Sequence, residues 1–363
     1  MLVADYPPFK PLSFLNSAHL QTVGAYFLRG NQPDYKAVKH AVWLADGDQL
    51  VIHDDKPDNW ITGDRIAILF HGLAGCHRSP YMVRAADKLT RRGVRVIRVD
   101  MRGFGDSTFI SRSHIHGGYY KDVFSVVDFV HHLCPISKIS LVGFSIGGNI
   151  ILKALGQWGT EHPKYVDSAV TICPPIDLIH CSWNLRRMGN RVYESYFMKS
   201  LKSQLTIRRR HVKDMVDNNV NPLPSRLIHW DDQITGPCWG YDGARDYYAD
   251  ASSAPTLDRV GVPTIILAAS DDPVVPHVMF GEFKMSNYIE LISTKKGGHL
   301  GFISQGVRDP DRHWMDWRIC QWVTSQDEDF GLPKESAVPR PYSNRGSRSS
   351  SRSSSRTSPR SRY

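Results

Sequence analysis

A serine between small residues, a pair of adjacent aspartates and a histidine among glycines are the groups in this sequence best suited to nucleophilic chemistry. The serine lies in "LVGFSIGGN" (residues 141–149), with Gly143 and Gly147 two positions before and after Ser145. A serine hydroxyl is a poor nucleophile until a base takes its proton. Gly-x-Ser-x-Gly between an apolar strand and a helix rich in small residues reads as a nucleophile elbow. The serine sits on a sharp turn, and the small neighbours let backbone pass close by. The following helix turns its N-terminus toward developing negative charge.

An elbow of this kind is followed in the chain first by an acid and then by a histidine. "TIILAASDDPVVP" (264–276) supplies Asp271 and Asp272 after an apolar strand. Asp272 is preferred for its position in "DPVVP"; Asp271 is the alternative, and Asp177, after "AVTICPP", a third candidate. Three histidines follow Asp272. His277 belongs to the same loop, and His313 opens a Trp-rich helix and reads as a packing or surface residue. His299 lies in "KKGGHLGF" (295–302), whose glycines let its loop come close to the elbow, and is taken as the base. His299 would remove the Ser145 proton during attack on an acyl carbonyl, with Asp272 fixing the imidazole tautomer and stabilising the imidazolium. Two backbone N–H groups should hold the oxyanion: Ile146, directly after the serine, and Leu73, in the loop after "AILFHG". His71 precedes Ser145 and reads as a structural partner of that loop. The acyl-enzyme would then be resolved by water or by another nucleophile.

These groups need elements to position them, and strands alternate with helices along the chain. Residues 37–55 read as two strands around Asp46-Gly47. Strands follow over 65–72, 94–100, 139–145, 167–175, 264–270 and 288–294. Helices are expected over 80–92, 119–133, 146–158 and 312–326, the first with Tyr81, Met82, Ala85, Ala86 and Leu89 on one face. The alternation implies βαβ units, a mostly parallel sheet and right-handed crossovers. Residues 176–255 break the rhythm and read as a helical cap inserted between two sheet strands, over a pocket.

Composition sets the bounds. The 363 residues suffice for one large α/β domain, and formal net charge is +9. Residues 334–363 carry eight Lys or Arg and one Glu, so most of the charge is in the tail. Its "SNRGSRSSSRSSSRTSPRSRY" is Ser/Arg low complexity, read as a disordered extension after a domain spanning 1–333. Contact of the tail with nucleic acid or an anionic surface is one reading, and a solvated extension without a partner is favoured. Cys76, Cys134, Cys173, Cys181, Cys238 and Cys320 lack paired spacing and read as scattered thiols of a reducing compartment. The start has no signal-peptide pattern, and no apolar run is long enough to span a membrane, so a cytoplasmic location is expected. No metal or organic cofactor is expected, because the His and Cys residues lack ligand spacing.

The motifs together resemble the YheT-like branch of the α/β-hydrolases, over roughly residues 7–325. "NSAHLQT" (16–22), "FHGLAGCHRSPY" (70–81), "MRGFGDS" (101–107), "GFSIGGN" (143–149) and "DDQITGPCWGYDGARDYYADAS" (231–252) are similar to that family's motifs in order and spacing. So are "DDPVVP" (271–276) and "GGHLGF" (297–302), whereas "SHIHGG" (113–118) stands where Tyr-His-Ser-Gly is more usual. The resemblance implies an α/β-hydrolase fold with helices on both faces of the sheet. It implies Ser145, Asp272 and His299 as triad, and a serine hydrolase of carboxylic esters, with acylglycerol or medium-chain fatty-acyl esters as candidates. An acyltransferase using the same triad and a catalytically silent scaffold are the alternatives.

Overall fold

The computed structural model describes residues 6–306 and 308–327; the Ser/Arg tail lies outside them. Eight strands form one sheet: β1 (Val38–Trp43), β2 (Gln49–Asp55), β3 (Ile66–Phe70), β4 (Arg95–Asp100), β5 (Ile139–Phe144), β6 (Val166–Ile172), β7 (Thr264–Ala269) and β8 (Ile289–Thr294). Their spatial order is β1-β2-β4-β3-β5-β6-β7-β8. β1 and β2 form a hairpin, and β2 pairs antiparallel with β4. The pairings from β4 through β8 are parallel.

The sequence accounts for this arrangement. In β3, Ile66, Ile68 and Phe70 join the core on one side of the sheet, and Ala67 and Leu69 the core on the other. Successive side chains of a strand point to opposite faces, so a strand covered on both sides reads as an unbroken apolar run. Helices α3 (Tyr120–Leu133) and α4 (Ile146–Trp158) cover the first face through Val123, Val126, Val127, Val130, Ile150 and Ile151. Helices α2 (Pro80–Thr90) and α10 (Trp314–Thr324) cover the second through Met82, Ala85, Leu89, Trp314, Ile319 and Trp322. α2 stops at Thr90, two residues short of the expected end. Gly93 takes φ +80°, and Val94 N–H bonds back to the Leu89 carbonyl at 3.1 Å. That six-residue closure satisfies the last carbonyls of a helix and turns the chain.

Topology picks the site. The chain leaves β3 toward β4 on one side and returns as β5 on the other side of β3. The crevice at the carboxyl ends of β3 and β5 is therefore a topological switch point, where open parallel sheets leave room for a ligand. Between β6 and β7 the chain runs through α5 (Leu178–Leu185), α6 (Arg191–His211), α7 (Leu227–Trp230), a π-helical turn (Asp231–Thr235), α8 (Gly236–Cys238) and α9 (Ala244–Ala251). Before β1, the "NSAHLQT" segment forms α1 (Ala18–Phe27), with Ser17 capping its start by accepting from Leu20 N–H. Among the described residues, no helix is long and apolar enough to cross a membrane.

Candidate active site

Ser145 occupies the turn between β5 and α4 with φ +51° and ψ −121°. A non-glycine residue there stores roughly 1–3 kcal/mol of strain, which the surrounding packing must hold. The two glycines make the turn sterically feasible. A Cβ on Gly143 would lie 2.6 Å from Gly148 Cα, and one on Gly147 would lie 2.5 Å from the Phe70 carbonyl oxygen. Asn149, fully buried on the elbow helix, donates to the Gly117 and Ala251 carbonyls and accepts from Ser253 N–H. It ties the elbow to the chain on both sides.

His299 Nε2 lies 2.9 Å from Ser145 Oγ, and its Nδ1 lies 2.9 Å from Asp272 Oδ2. A carboxylate only accepts, so Nδ1 carries the hydrogen and the Nε2 lone pair faces the serine hydroxyl. The other Asp272 oxygen accepts from the N–H groups of Val274 and Val275 at 2.8 and 2.9 Å. The fold thus brings Ser145, Asp272 and His299 into one hydrogen-bonded chain from three different loops.

The other candidates point elsewhere. Asp271 accepts from Gly298 N–H at 2.9 Å and braces the histidine loop. Asp177 caps α5, accepting from His180 N–H. His277 bonds Ser293 Oγ, and buried His313 donates to the Leu28 carbonyl. His71 is fully buried; its Nδ1 faces the Gly72 carbonyl at 2.8 Å and its Nε2 accepts from Met101 N–H at 3.1 Å. Burial lowers its pKa, so a neutral ring ties the loop after β3 to the end of β4. Among the described residues, the N–H groups of Leu73 and Ile146 have no hydrogen-bond acceptor. Ile146 is the first residue of α4, where helical bonding leaves the N–H free.

Sequence reasoning gave "NSAHLQT" no task, and here it holds the histidine loop. Thr22 Oγ1 accepts from His299 N–H at 2.8 Å. Gln21 donates to the Leu15 and Ile303 carbonyls and accepts from Ile303 N–H. A Cβ on Gly298 would lie 2.4 Å from the Ala18 carbonyl oxygen, so α1 and this loop are in backbone contact. The signal was a polar cluster within an apolar helix; its partners in and after the histidine loop lie over 270 positions away.

Two cavities meet at Ser145. The first is lined mainly by apolar groups, among them Ile146, Leu178, Phe197 and Tyr247, with Asp231 in its wall. Ile115 and Gly117, from the atypical "SHIHGG", also line it. Burial pushes the Asp231 carboxyl up to about 6, against the hydrogen bond it accepts from Tyr248. The second is lined by His299, Thr22, Tyr26, Tyr193 and Tyr196, among others.

Two side-chain groups have ligand atoms close enough to share a metal ion: His53, His77, Asp100 and Asp106, and Cys173, Asp272 and His299. In the first, Asp100 already accepts from His53 Nε2, His77 Nδ1 and Asp106 N–H. Burial would raise the Asp100 pKa, but the bonds from both histidines outweigh it and hold the carboxylate ionised. Lys39 and Arg98 add positive charge, at 2.6 Å from Asp106 and 2.7 Å from the His77 carbonyl. The network ties the loop after β3 to β2 and β4. In the second group, burial raises the Cys173 thiol far above its ordinary range, so it is a poor thiolate donor.

A profile of the alpha/beta hydrolase fold matches residues 68–305, and the chain belongs to that family. It is similar to the putative esterase YheT of Escherichia coli, 29% identical over 321 residues that cover 87% of this chain and 93% of that protein. It is also similar to a monoacylglycerol lipase of Saccharomyces cerevisiae, 26% identical over 298 residues, 78% of this chain and 63% of the lipase. Among solved structures, an esterase of Pyrococcus furiosus superposes with a TM-score of 0.51 at 16% identity, covering 82% of this chain and 96% of that one. The last likeness concerns the fold alone. By family and relatives the chain is an ester hydrolase.

Proposed function

We propose that Ser145, His299 and Asp272 are the catalytic triad and that the enzyme cleaves carboxylic esters through an acyl-enzyme. The observation that carries this is the pair of 2.9 Å contacts His299 makes, one to each partner. His299 takes the Ser145 proton as Oγ attacks the ester carbonyl. Asp272 holds the ring and stabilises the imidazolium without itself being protonated. The tetrahedral oxygen is received by the N–H groups of Leu73 and Ile146, which supply the largest electrostatic contribution to the step. Breakdown expels the alcohol, protonated by His299, and leaves the acyl group on Ser145. Water, deprotonated by the same ring, then releases the acid.

The cavities support an assignment of substrate parts. Ile146 lines only the first cavity and His299 only the second. The acyl chain therefore occupies the apolar first cavity, and the alcohol leaves through the second, past the ring that must protonate it. An apolar lining beside the nucleophile favours lipid-like acyl groups, in keeping with the lipase among the relatives. Helices α5 to α9 contribute most of its wall and act as the cap. Replacing Ser145 with alanine should abolish turnover of a medium-chain nitrophenyl ester with the fold intact by circular dichroism. A fluorophosphonate probe should label Ser145 in the parent and nothing in the variant. Undiminished turnover in the folded variant would refute the assignment.

A further inference from the structure

Exposed apolar side chains gather on one part of the surface. On α1, Leu20, Val23 and Phe27 recur at helical spacing, and Phe27 is 72% exposed. From the turn before α6 into that helix, Met188, Val192 and Tyr196 recur every four residues, and Met188 is 85% exposed. Tyr26 and Tyr196 join the two rows, their ring centroids 6.5 Å apart. Both tyrosines also line the second cavity, so the patch runs into the site. A contiguous apolar patch beside a ligand cavity marks an interaction surface.

The exposed charged side chains of the two segments that carry the patch are all basic. Residues 14–29 and 183–199 carry Arg29, Arg186, Arg187, Arg191 and Lys199, all exposed. The one acid in these stretches, Glu194, is buried and paired with Arg226 at 2.6 Å. Apolar groups rimmed by cations suit a lipid interface: the apolar face enters the headgroup boundary and the cations meet anionic headgroups. A second copy of the chain fits less well, because a two-fold contact would set these cations against their own equivalents.

We propose that the α1–α6 rim seats on an anionic lipid surface and holds the second cavity open toward it. The binding stands on this surface alone; its kinetic consequence rests on the reading of Ser145 as nucleophile. The test uses the full chain with phosphatidylcholine vesicles, with and without phosphatidylglycerol, at low salt and at about 0.5 M salt, where exposed charges are screened beyond a few ångströms. Two double variants are compared with the parent: Phe27→Ser with Met188→Ser, and Arg186→Glu with Arg187→Glu. The basic tail is common to all three and cannot produce a difference among them.

Each pair should weaken sedimentation with anionic vesicles at least tenfold at low salt. At high salt the parent should keep residual binding that the serine pair lacks. Turnover of a vesicle-embedded ester should fall in parallel, with soluble nitrophenyl ester hydrolysis unchanged. Variants that bind vesicles as well as the parent would overturn the proposal. So would a concentration-dependent dimer, in vesicle-free buffer, that the serine pair dissolves. Loss of soluble-ester turnover in the parent would instead refute the hydrolase chemistry and leave the vesicle result to stand or fall separately.

Discussion

Thr22 Oγ1 accepts the backbone N–H of His299 at 2.8 Å, across 277 positions of sequence. The same hydroxyl donates to the Ala18 carbonyl one turn back on α1. A threonine outside the reacting groups thereby fixes where the imidazole stands. Thr22→Val keeps the volume and loses both bonds. One hydrogen bond contributes about 1 kcal/mol, so a fall in kcat of roughly fivefold is expected, with KM little changed. Thr22→Ser should restore the rate. A purely structural role would lower the melting temperature and leave kcat per folded molecule unchanged.

The adjacent aspartates have separable tasks. Asp272 faces the His299 ring, whereas Asp271 holds Gly298 N–H. Asp272→Asn should lower kcat by about 10⁴, the scale seen when a triad acid no longer fixes the tautomer. Asp271→Asn should cost about tenfold, through a looser loop and one weakened hydrogen bond. Steady-state kinetics on a nitrophenyl ester decide the matter, and the reverse ranking would move the acid to Asp271.

Gly147 leaves no room for a methyl group. Its Cβ would lie 2.5 Å from the Phe70 carbonyl oxygen and 2.6 Å from that of His71, both backbone atoms of β3 and its loop. Gly147→Ala should destabilise the fold by about 3 kcal/mol, at the upper end of ordinary overpacking. Denaturant unfolding at neutral pH measures it. A change below about 1 kcal/mol would mean that α4 shifts easily against β3.

Asp231 makes stability depend on pH. Burial lifts its carboxyl from an ordinary 3.8 to about 6. Between those values the folded chain holds a proton that the unfolded chain has released, so this group's contribution falls as pH rises from about 4 to above 6. Linkage sets the upper limit at about 3 kcal/mol. Asp231→Asn removes that dependence and keeps a group able to accept from Tyr248. Relative to the parent, the variant should therefore gain stability between pH 4 and pH 7. Parallel pH profiles for the two would refute the carboxyl's burial.

Much of the fold was legible because it is written locally. Short apolar runs marked the strands that are covered on both faces, and helical spacing marked α2 and α3. The elbow was legible for the same reason: Gly143, Ser145 and Gly147 act on one another within five residues, and their small size is itself the signal. The work of Gln21, Thr22 and Asn149 was not legible, because each acts through backbone groups brought near only by folding.

The sequence by itself determined which groups could react and in what order the chain presents them: a strained serine, then a pair of acids, then a histidine on a glycine loop. Only the tertiary structure decided which aspartate faces the imidazole. It also decided which groups hold His71 in its structural place, and that the serine stands where an apolar and an aromatic cavity meet. The physical reason is range. Propensity and turn chemistry act over a few residues, whereas proton transfer and ligand enclosure depend on distances of about 3 Å between groups hundreds of positions apart, which packing of the whole sheet sets.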